Sequence, residues 1–244
     1  MSNSRLSDLL RFYALVEQLT KRIGGMRTLA DAGSTHHLPR QGVYFFFELS
    51  ERRQESGTGP RLVRVGTHGL SSGSKSTLRQ RLEQHRGKTK GGGNHRGSIF
   101  RLLVGQSLLA SGDVAPCKSW GVKSTAKNAA EVLGIEKDVL TASEQCLELA
   151  VSKHICAMPF VWLGIEDDAG PKSMRGMVER NAIALLSNYN RPAIDAPSSK
   201  WLGHASDRAL VRRSGLWNQR HVDEQYAPQF LDLFEECMVE AGNA

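Results

Sequence analysis

Cysteine is scarce in this sequence, and the cysteines that are present lie far apart. They are Cys117, Cys146, Cys156 and Cys237, so no Cys-x-x-Cys pair exists. Structural zinc sites and dithiol redox motifs both need closely spaced cysteines. The adjacent pair His36-His37 has no carboxylate or cysteine close by in the sequence, so we expect no metal site there either. The sequence predicts reduced, mostly buried thiols, as in cytoplasmic proteins.

Long apolar runs are also missing. No segment approaches the ~20 consecutive apolar residues that a membrane-spanning helix needs. The first residues are polar and charged, without the apolar core of a signal peptide. We therefore expect a cytoplasmic protein without a membrane partner.

Acidic residues are outnumbered by basic ones. The chain has 32 lysines and arginines against 25 aspartates and glutamates, which gives a net charge of +7 and a pI near 9.4. This balance favours a polyanionic partner, although many basic proteins bind no nucleic acid. With 244 residues, 40% of them hydrophobic, the chain is long enough for one elaborated domain or two small ones.

Two apolar stretches in the first half of the chain are predicted to form paired strands. The first, at 42–49, opens with Gly-Val-Tyr, and the second, at 61–67, contains Arg-Val-Gly at 64–66. Apolar residues at successive positions of the first stretch predict a strand that is covered on both faces. The short polar connection with its glycines predicts that the two strands are antiparallel.

A helix is predicted directly after these strands. Serine and threonine precede it, its leucines are four residues apart, and Gly87 ends it. Arg81 and His85 are also four residues apart, so they lie on the same side of the helix. The pattern predicts that a cation and an imidazole lie next to each other, beside the ends of the two strands.

A later helix, predicted over about residues 173–189, carries Glu179 beside an apolar stripe. A carboxylate in this position is costly to bury unless a cation pairs with it. A metal ion or Arg81 would serve as that cation. A partly exposed ion pair with Arg175 is the alternative, and the residues alone favour that alternative.

In their order, spacing and element types, these features resemble the GIY-YIG nuclease family. That family has a tyrosine in a Gly-Ile-Tyr strand, a second strand ending in Tyr-Ile-Gly, a helix with a catalytic arginine and a later helix with a metal-binding glutamate. Tyr44, Arg81 and Glu179 match these residues, and Arg64 stands in the place of the second tyrosine. His85 matches a histidine that some restriction enzymes of the family place four residues after the arginine.

The resemblance implies an α/β protein of the α+β class, with a small, mainly antiparallel sheet of three strands flanked by helices. The resemblance covers about residues 40–104 and 155–192 and nothing outside them. The chain then divides into an N-terminal helical extension, a nuclease domain with a helical insertion, and a C-terminal extension, at residues 1–38, 39–192 (insertion 111–154) and 193–244.

The resemblance also implies a function. It predicts a divalent-metal-dependent endonuclease that hydrolyses DNA phosphodiester bonds in restriction, defence or repair, with Mg²⁺ or Mn²⁺ bound by Glu179. Arg81 suits phosphate because its guanidinium donates two parallel N–H groups. A catalytically silent nucleic-acid-binding module on the same scaffold is the alternative.

The general base is where this chain departs from the family pattern. Tyr44 is retained, but an unperturbed phenol has a pKa of ~10 and needs help to accept a proton at neutral pH. Arg64 would lower that pKa if its side chain points toward the phenol. His85 and His68 are alternative proton acceptors, so the identity of the base stays open at this point.

A glycine-rich stretch after the arginine helix predicts a loop that contacts phosphates. Glycines let backbone N–H groups approach an anion, and the neighbouring cations attract it. A flexible linker is the alternative. The resemblance adds an asparagine near the end of the glutamate helix. The candidate nucleic-acid contacts are Arg86, Lys88, Lys90, Asn94, His95, Arg96 and Asn190.

Tryptophans and arginines alternate in the C-terminal part, around Trp201, Trp217, Arg208 and Arg212. Such residues stack on bases or grip phosphates in single-strand-binding proteins. They also cap hydrophobic cores, and we favour that interpretation here.

Overall fold

The computed structural model describes residues 2–31, 38–88 and 90–241. His36 and His37 lie outside the described residues. Within the described residues, four strands form one antiparallel sheet in the order β1-β4-β2-β3. Their bounds are Arg27–Thr28 for β1, Gly42–Arg52 for β2, Pro60–Gly66 for β3 and Pro159–Gly164 for β4. The expected number of three strands was too low, because β1 has two residues and is too short to show any alternation.

Eight α-helices flank the sheet in the described residues. None of these helices combines the length and the apolar character needed to cross a membrane. Their bounds are Ser2–Arg22 (α1), Leu78–Arg86 (α2), Ile99–Ser111 (α3), Ala126–Leu133 (α4), Lys137–Cys156 (α5), Met174–Leu186 (α6), Ala209–Ser214 (α7) and Phe230–Ala241 (α8).

The central strand β2 is buried on both faces, as its apolar run predicts. Val43, Phe45 and Phe47 belong to one core, which α1, α6 and α8 complete. Tyr44 and Phe46 belong to a second core on the opposite face, which α2, α3 and α5 complete. Alternate side chains of this one strand therefore belong to two separate core layers. The tyrosine of the Gly-Val-Tyr motif lies in the layer that contains α2.

Helix α2 begins and ends where the sequence predicts. Thr77 caps its first turn through a reciprocal pair of hydrogen bonds with Gln80. At the other end Gly87 has φ of 83°, a left-handed conformation that a residue with a Cβ adopts at a cost. These two ends fix the position of the helix beside the sheet.

The C-terminal segment covers the outer edge of β3. The backbone N–H of Trp217 donates to the carbonyl of Val63 at 2.7 Å. The Asn218 side chain accepts from the N–H of Val65 at 3.1 Å and donates to its carbonyl at 2.8 Å. Trp201 and Trp217 are both buried, which confirms the packing interpretation for the tryptophans. This segment protects a strand edge that would otherwise offer unpaired backbone groups.

Candidate active site

An open cleft of about 520 Å³ lies between α2, the end of β3, α6 and the segment after Trp217. Four of the residues predicted to be catalytic line it, namely Arg64, His68, Arg81 and Glu179. Arg81 and Glu179 come from helices that are far apart in the sequence, yet they share this cleft. The C-terminal segment adds Asn218, Gln219, Arg220 and His221 to the lining.

The Glu179 carboxylate is partly buried and is held at the end of β3. Its Oε1 accepts a hydrogen bond from the backbone N–H of Thr67 at 3.0 Å. Within the described residues, no ion pair neutralises this carboxylate. Burial raises the pKa of Glu179 above its usual range, while the Thr67 N–H and the charge of Arg64 act in the opposite direction. The cleft thus contains a carboxylate without a counter-charge in contact.

The ion pair between Glu179 and Arg175, which the residues alone favoured, does not form. Arg175 is fully buried, and its Nε donates to a carboxylate oxygen of Asp167. Its Nη1 donates to the carbonyl of His68 at 2.9 Å. Arg175 therefore stabilises the turns around the cleft, and it does not neutralise the charge of Glu179.

Arg64 and Arg81 are two of the four arginines that line the same cleft. Arg81 is half-buried and donates to Oε1 of Gln84 at 2.9 Å. Arg64 is buried, donates to the carbonyl of Trp217, and lies 4.7 Å from the centre of the Phe100 ring. Burial lowers the pKa of Arg64. Neither arginine is ion-paired with a carboxylate in the described part of the chain, so both are suited to bind a phosphate.

Tyr44 and His85 are fully buried and adjoin the cleft wall without lining it. The Tyr44 hydroxyl is 2.7 Å from Nε2 of His85, and Nδ1 of His85 is 2.7 Å from Oγ of Ser98. Gly66 makes room for the phenol, because a Cβ there would come within 2.2 Å of the hydroxyl. Burial, and then the charge of Arg81, lower the pKa of His85 well below its usual value. A neutral imidazole therefore links the phenol to Ser98.

His68 is fixed through one ring nitrogen. Its Nδ1 is 3.1 Å from the carbonyl of Ser76, and because a carbonyl only accepts, Nδ1 carries the proton. Nε2 is then an acceptor, and it is buried without a hydrogen-bond partner in the described structure. Burial, and then the charge of Arg175, lower the pKa of His68 to about 4. Unsatisfied buried acceptors are rare and are often found at functional sites.

This pKa predicts that the fold loses stability as the pH falls from about 6.5 to 4. His68 binds a proton near its usual pKa of ~6.5 in the unfolded chain, but only near pH 4 in the folded chain. Below pH 6.5 protonation thus favours the unfolded state, by at most ~1.4 kcal/mol per pH unit for one proton. Urea unfolding at several pH values measures this slope.

The matched variants are His68→Asn, which retains a side-chain donor for the Ser76 carbonyl, and His204→Asn, which changes an exposed histidine. We expect a shallower pH dependence for the first variant and the wild-type slope for the second. An unchanged slope in His68→Asn would contradict the assignment of a neutral, buried His68.

The described part of the glycine-rich loop packs on a buried ion pair. Arg101 is fully buried, and its Nη2 is 2.5 Å from Oε2 of Glu148. The carbonyl of Gly92 accepts from Oγ of Ser152 at 3.0 Å. A Cβ at Gly93 would come within 2.5 Å of the Arg101 guanidinium carbon. Gly93 is therefore required for close packing on the arginine.

The structure contradicts the expected phosphate contact of His95. Its ring is enclosed, stacks on Trp120 with 3.8 Å between ring centres, and places Nδ1 2.9 Å from Oε1 of Glu148. Arg96 lines the cleft, but its guanidinium is paired with both carboxylate oxygens of Glu144 at 2.7 and 2.8 Å. The His95 ring and the Arg96 charge are therefore engaged within the protein.

The other candidate nucleic-acid contacts fall into two groups. Lys88, Lys90 and Asn94 are exposed on the loop after α2. Arg86 lines a small depression beside Glu83, and Asn190 is exposed and accepts a hydrogen bond from Arg213. Neither Arg86 nor Asn190 lines the cleft, so the structure does not bring these two residues to the other site residues.

The cleft residues contributed by the C-terminal segment were missed by the sequence analysis. Asn218 and His221 follow a buried tryptophan that is anchored on β3. The available signal was a run of four polar residues, Asn-Gln-Arg-His, directly after Trp217. That run does not match any of the family motifs by which the other residues were found.

The donor set at Glu179 fits a hard divalent cation. Only Oε1 of this carboxylate has a hydrogen-bond partner among the described residues, and the side chain lines the cleft. No group of three or more His, Cys, Asp or Glu side chains there forms a ready-made metal cage. Mg²⁺ is usually bound by one or two carboxylates together with waters and substrate phosphates, so the single glutamate of this cleft is compatible with such an ion.

Comparison with known proteins supports the resemblance. A family model of the GIY-YIG domain matches residues 3–243. The expectation that the resemblance ends outside 40–104 and 155–192 was wrong, because the match includes both terminal segments. No curated protein and no solved structure gave a significant match. Because the match spans nearly the whole sequence, the chain belongs to the GIY-YIG domain family.

Proposed function

We propose that this protein is an endonuclease that hydrolyses DNA phosphodiester bonds with the help of a divalent metal ion. Membership of the family points to nuclease activity in general. The observation that carries the proposal is the convergence of Arg64, Arg81 and Glu179 on one cleft. A module that only binds DNA has no use for an unpaired carboxylate among these cations, because it would repel the phosphates. A metal-dependent nuclease requires it.

Each of these residues has a role that its chemistry supports. Arg81 and Arg64 bind the phosphate and stabilise the charge that develops on its oxygens. Glu179 holds Mg²⁺ or Mn²⁺, which would polarise the phosphate and stabilise the leaving oxygen when bound. The two arginines thus orient the scissile phosphate, and the carboxylate would hold the cation beside it.

Tyr44 and His85 form the proton-accepting pair of this proposal. The charge of Arg64 interacts favourably with the Tyr44 hydroxyl, and the neutral His85 imidazole lies 2.7 Å from it. Since Tyr44 is fully buried, a side-chain movement at the cleft wall is needed before it reaches an attacking water. His68, which lines the cleft and has an unoccupied Nε2, is the alternative base.

DNA is the substrate class that the surface favours. Lys88, Lys90 and Asn94 are exposed close to the Arg81 helix and extend the contact to phosphates on either side of the scissile one. A cytoplasmic role in restriction, defence or repair fits this activity.

The experiment that tests the proposal is single-turnover cleavage of plasmid DNA by the Arg81→Ala variant. Loss of a preorganised donor to the phosphoryl oxygens should lower the cleavage rate by roughly a hundredfold or more. DNA binding should weaken far less, because the other cations remain.

The matched control is Arg52→Ala, which removes an equal charge from an exposed arginine at the end of β2. We expect wild-type cleavage from this control. Equal rates for the two variants would show that Arg81 contributes only net charge, and would contradict its role in catalysis.

A further inference from the structure

His221 lies in the cleft with a backbone conformation that is unusual for its residue type. Its φ of 64° is left-handed, and it is one of a few non-glycine residues with positive φ in the described structure. A residue with a Cβ adopts this conformation at a cost that surrounding contacts must offset. His221 and Glu179 both line the same cleft. Arg180, the residue next to Glu179 on α6, pairs with Glu224, and His221 is bonded to that same carboxylate.

The contacts that hold His221 in place come from both sides of it. On one side, the Asn218 side chain is bonded to both backbone groups of Val65. On the other side, Oγ of Ser187 donates to the carbonyl of Val222 at 2.6 Å. The segment is therefore tied to β3 and to the end of α6, and the position of the imidazole is determined by the fold.

The ring orientation of His221 is fixed by Glu224. Nδ1 of His221 is 2.7 Å from Oε1 of this carboxylate. Glu224 is itself held, because Arg180 pairs with its other oxygen at 3.5 Å and Arg191 donates to its carbonyl at 2.9 Å. A carboxylate at Nδ1 leaves Nε2 as the nitrogen with a free lone pair, and Nε2 has no hydrogen-bond partner among the described residues. This carboxylate–histidine arrangement is the one that metal-binding histidines have.

We propose that His221 is the second protein ligand of the cation at Glu179, and that it binds through Nε2. The inference rests on the proposed metal site and adds a ligand from the C-terminal segment. Carboxylate oxygen suits both Mg²⁺ and Mn²⁺, whereas imidazole nitrogen favours transition metals over Mg²⁺. The pair therefore makes the site prefer Mn²⁺, with waters and a substrate phosphate completing the coordination.

The test is isothermal titration of the full chain with Mn²⁺ and, separately, with Mg²⁺, in the absence of DNA. The variant is His221→Asn, because asparagine tolerates the left-handed conformation better than other residues with a Cβ. His204→Asn, at an exposed histidine outside the cleft, is the control. Thermal unfolding without metal checks that all three proteins are folded.

We expect His221→Asn to bind Mn²⁺ at least tenfold more weakly than the wild type, with a change of less than about threefold for Mg²⁺. The His204→Asn control should bind both ions as the wild type does. Wild-type Mn²⁺ affinity in folded His221→Asn would overturn this inference while leaving the Glu179 site intact. A wild-type protein that binds neither ion would overturn both the inference and the metal dependence of the proposed function.

Discussion

Replacement of Glu179 by glutamine should remove DNA cleavage and leave the fold and DNA binding in place. Glutamine has nearly the same shape, and its Oε1 still accepts the hydrogen bond that Thr67 donates at 3.0 Å. It lacks the charge that holds a divalent cation. If the metal stabilises the leaving oxygen and the phosphoryl charge, its loss should slow the reaction roughly a hundredfold or more. Single-turnover nicking, with the protein in excess over the plasmid and with saturating Mg²⁺, measures this rate.

DNA binding should persist in this variant and become slightly tighter, because a negative charge leaves a cationic cleft. The matched control is Glu131→Gln on α4, where the glutamate is exposed and away from the cleft. Thermal unfolding of both variants shows whether each is folded. Cleavage at the wild-type rate by folded Glu179→Gln would exclude Glu179 as the metal ligand.

Among the substitutions proposed for this protein, replacement of Arg101 by methionine should have the largest effect on the free energy of unfolding. Arg101 is fully buried, donates to Glu148, and also donates to the carbonyl of His85 at 2.9 Å. Methionine fills part of the volume but leaves Glu148 charged and without its arginine. The loss of one partner from a buried pair costs about 3–5 kcal/mol. For a chain of this size the melting temperature should fall by roughly 10 °C.

The double variant Arg101→Met, Glu148→Gln separates the buried charge from the lost packing. Glutamine removes the unpaired charge, so the double variant should be more stable than Arg101→Met alone. Urea unfolding of the wild type, both single variants and the double variant gives the interaction energy. A loss below about 1 kcal/mol in Arg101→Met would show that the glycine-rich loop does not depend on this ion pair.

The side chains whose positions the sequence predicted lie within single helices or strands, and the sequence of each such element determines its ends and its buried face. The capping box at Thr77 and the glycine at 87 determine α2, and their positions place Arg81 and His85 on one side of it. Burial of β2 on both faces sends Tyr44 to that same side. Helical spacing alone places Glu179 beside an apolar stripe. The geometry of each residue follows from its own segment, so a family resemblance was enough to connect them.

The residues that sequence predicted poorly depend on partners far away in the chain. The loop sequence carries no local sign that Arg96 will pair with Glu144 and that His95 will bond to Glu148, both on α5. The place of His221 is determined by contacts of its segment with β3 and with the end of α6. The strand β1 is recognised only by its pairing with β4. In each case the contact that positions the residue is made with a segment far away in the sequence, so no local periodic pattern predicts it.

The most direct test of the central claim is incubation of the pure protein with supercoiled plasmid in Mg²⁺, in Mn²⁺ and in EDTA. We expect nicked and linear products with either metal, no cleavage in EDTA, and recovery when Mg²⁺ is added in excess. The same samples in a gel-shift assay should bind DNA in all three conditions, with affinity that falls as salt increases. Salt-dependent binding without cleavage in either metal would contradict the nuclease assignment and favour a silent DNA-binding module.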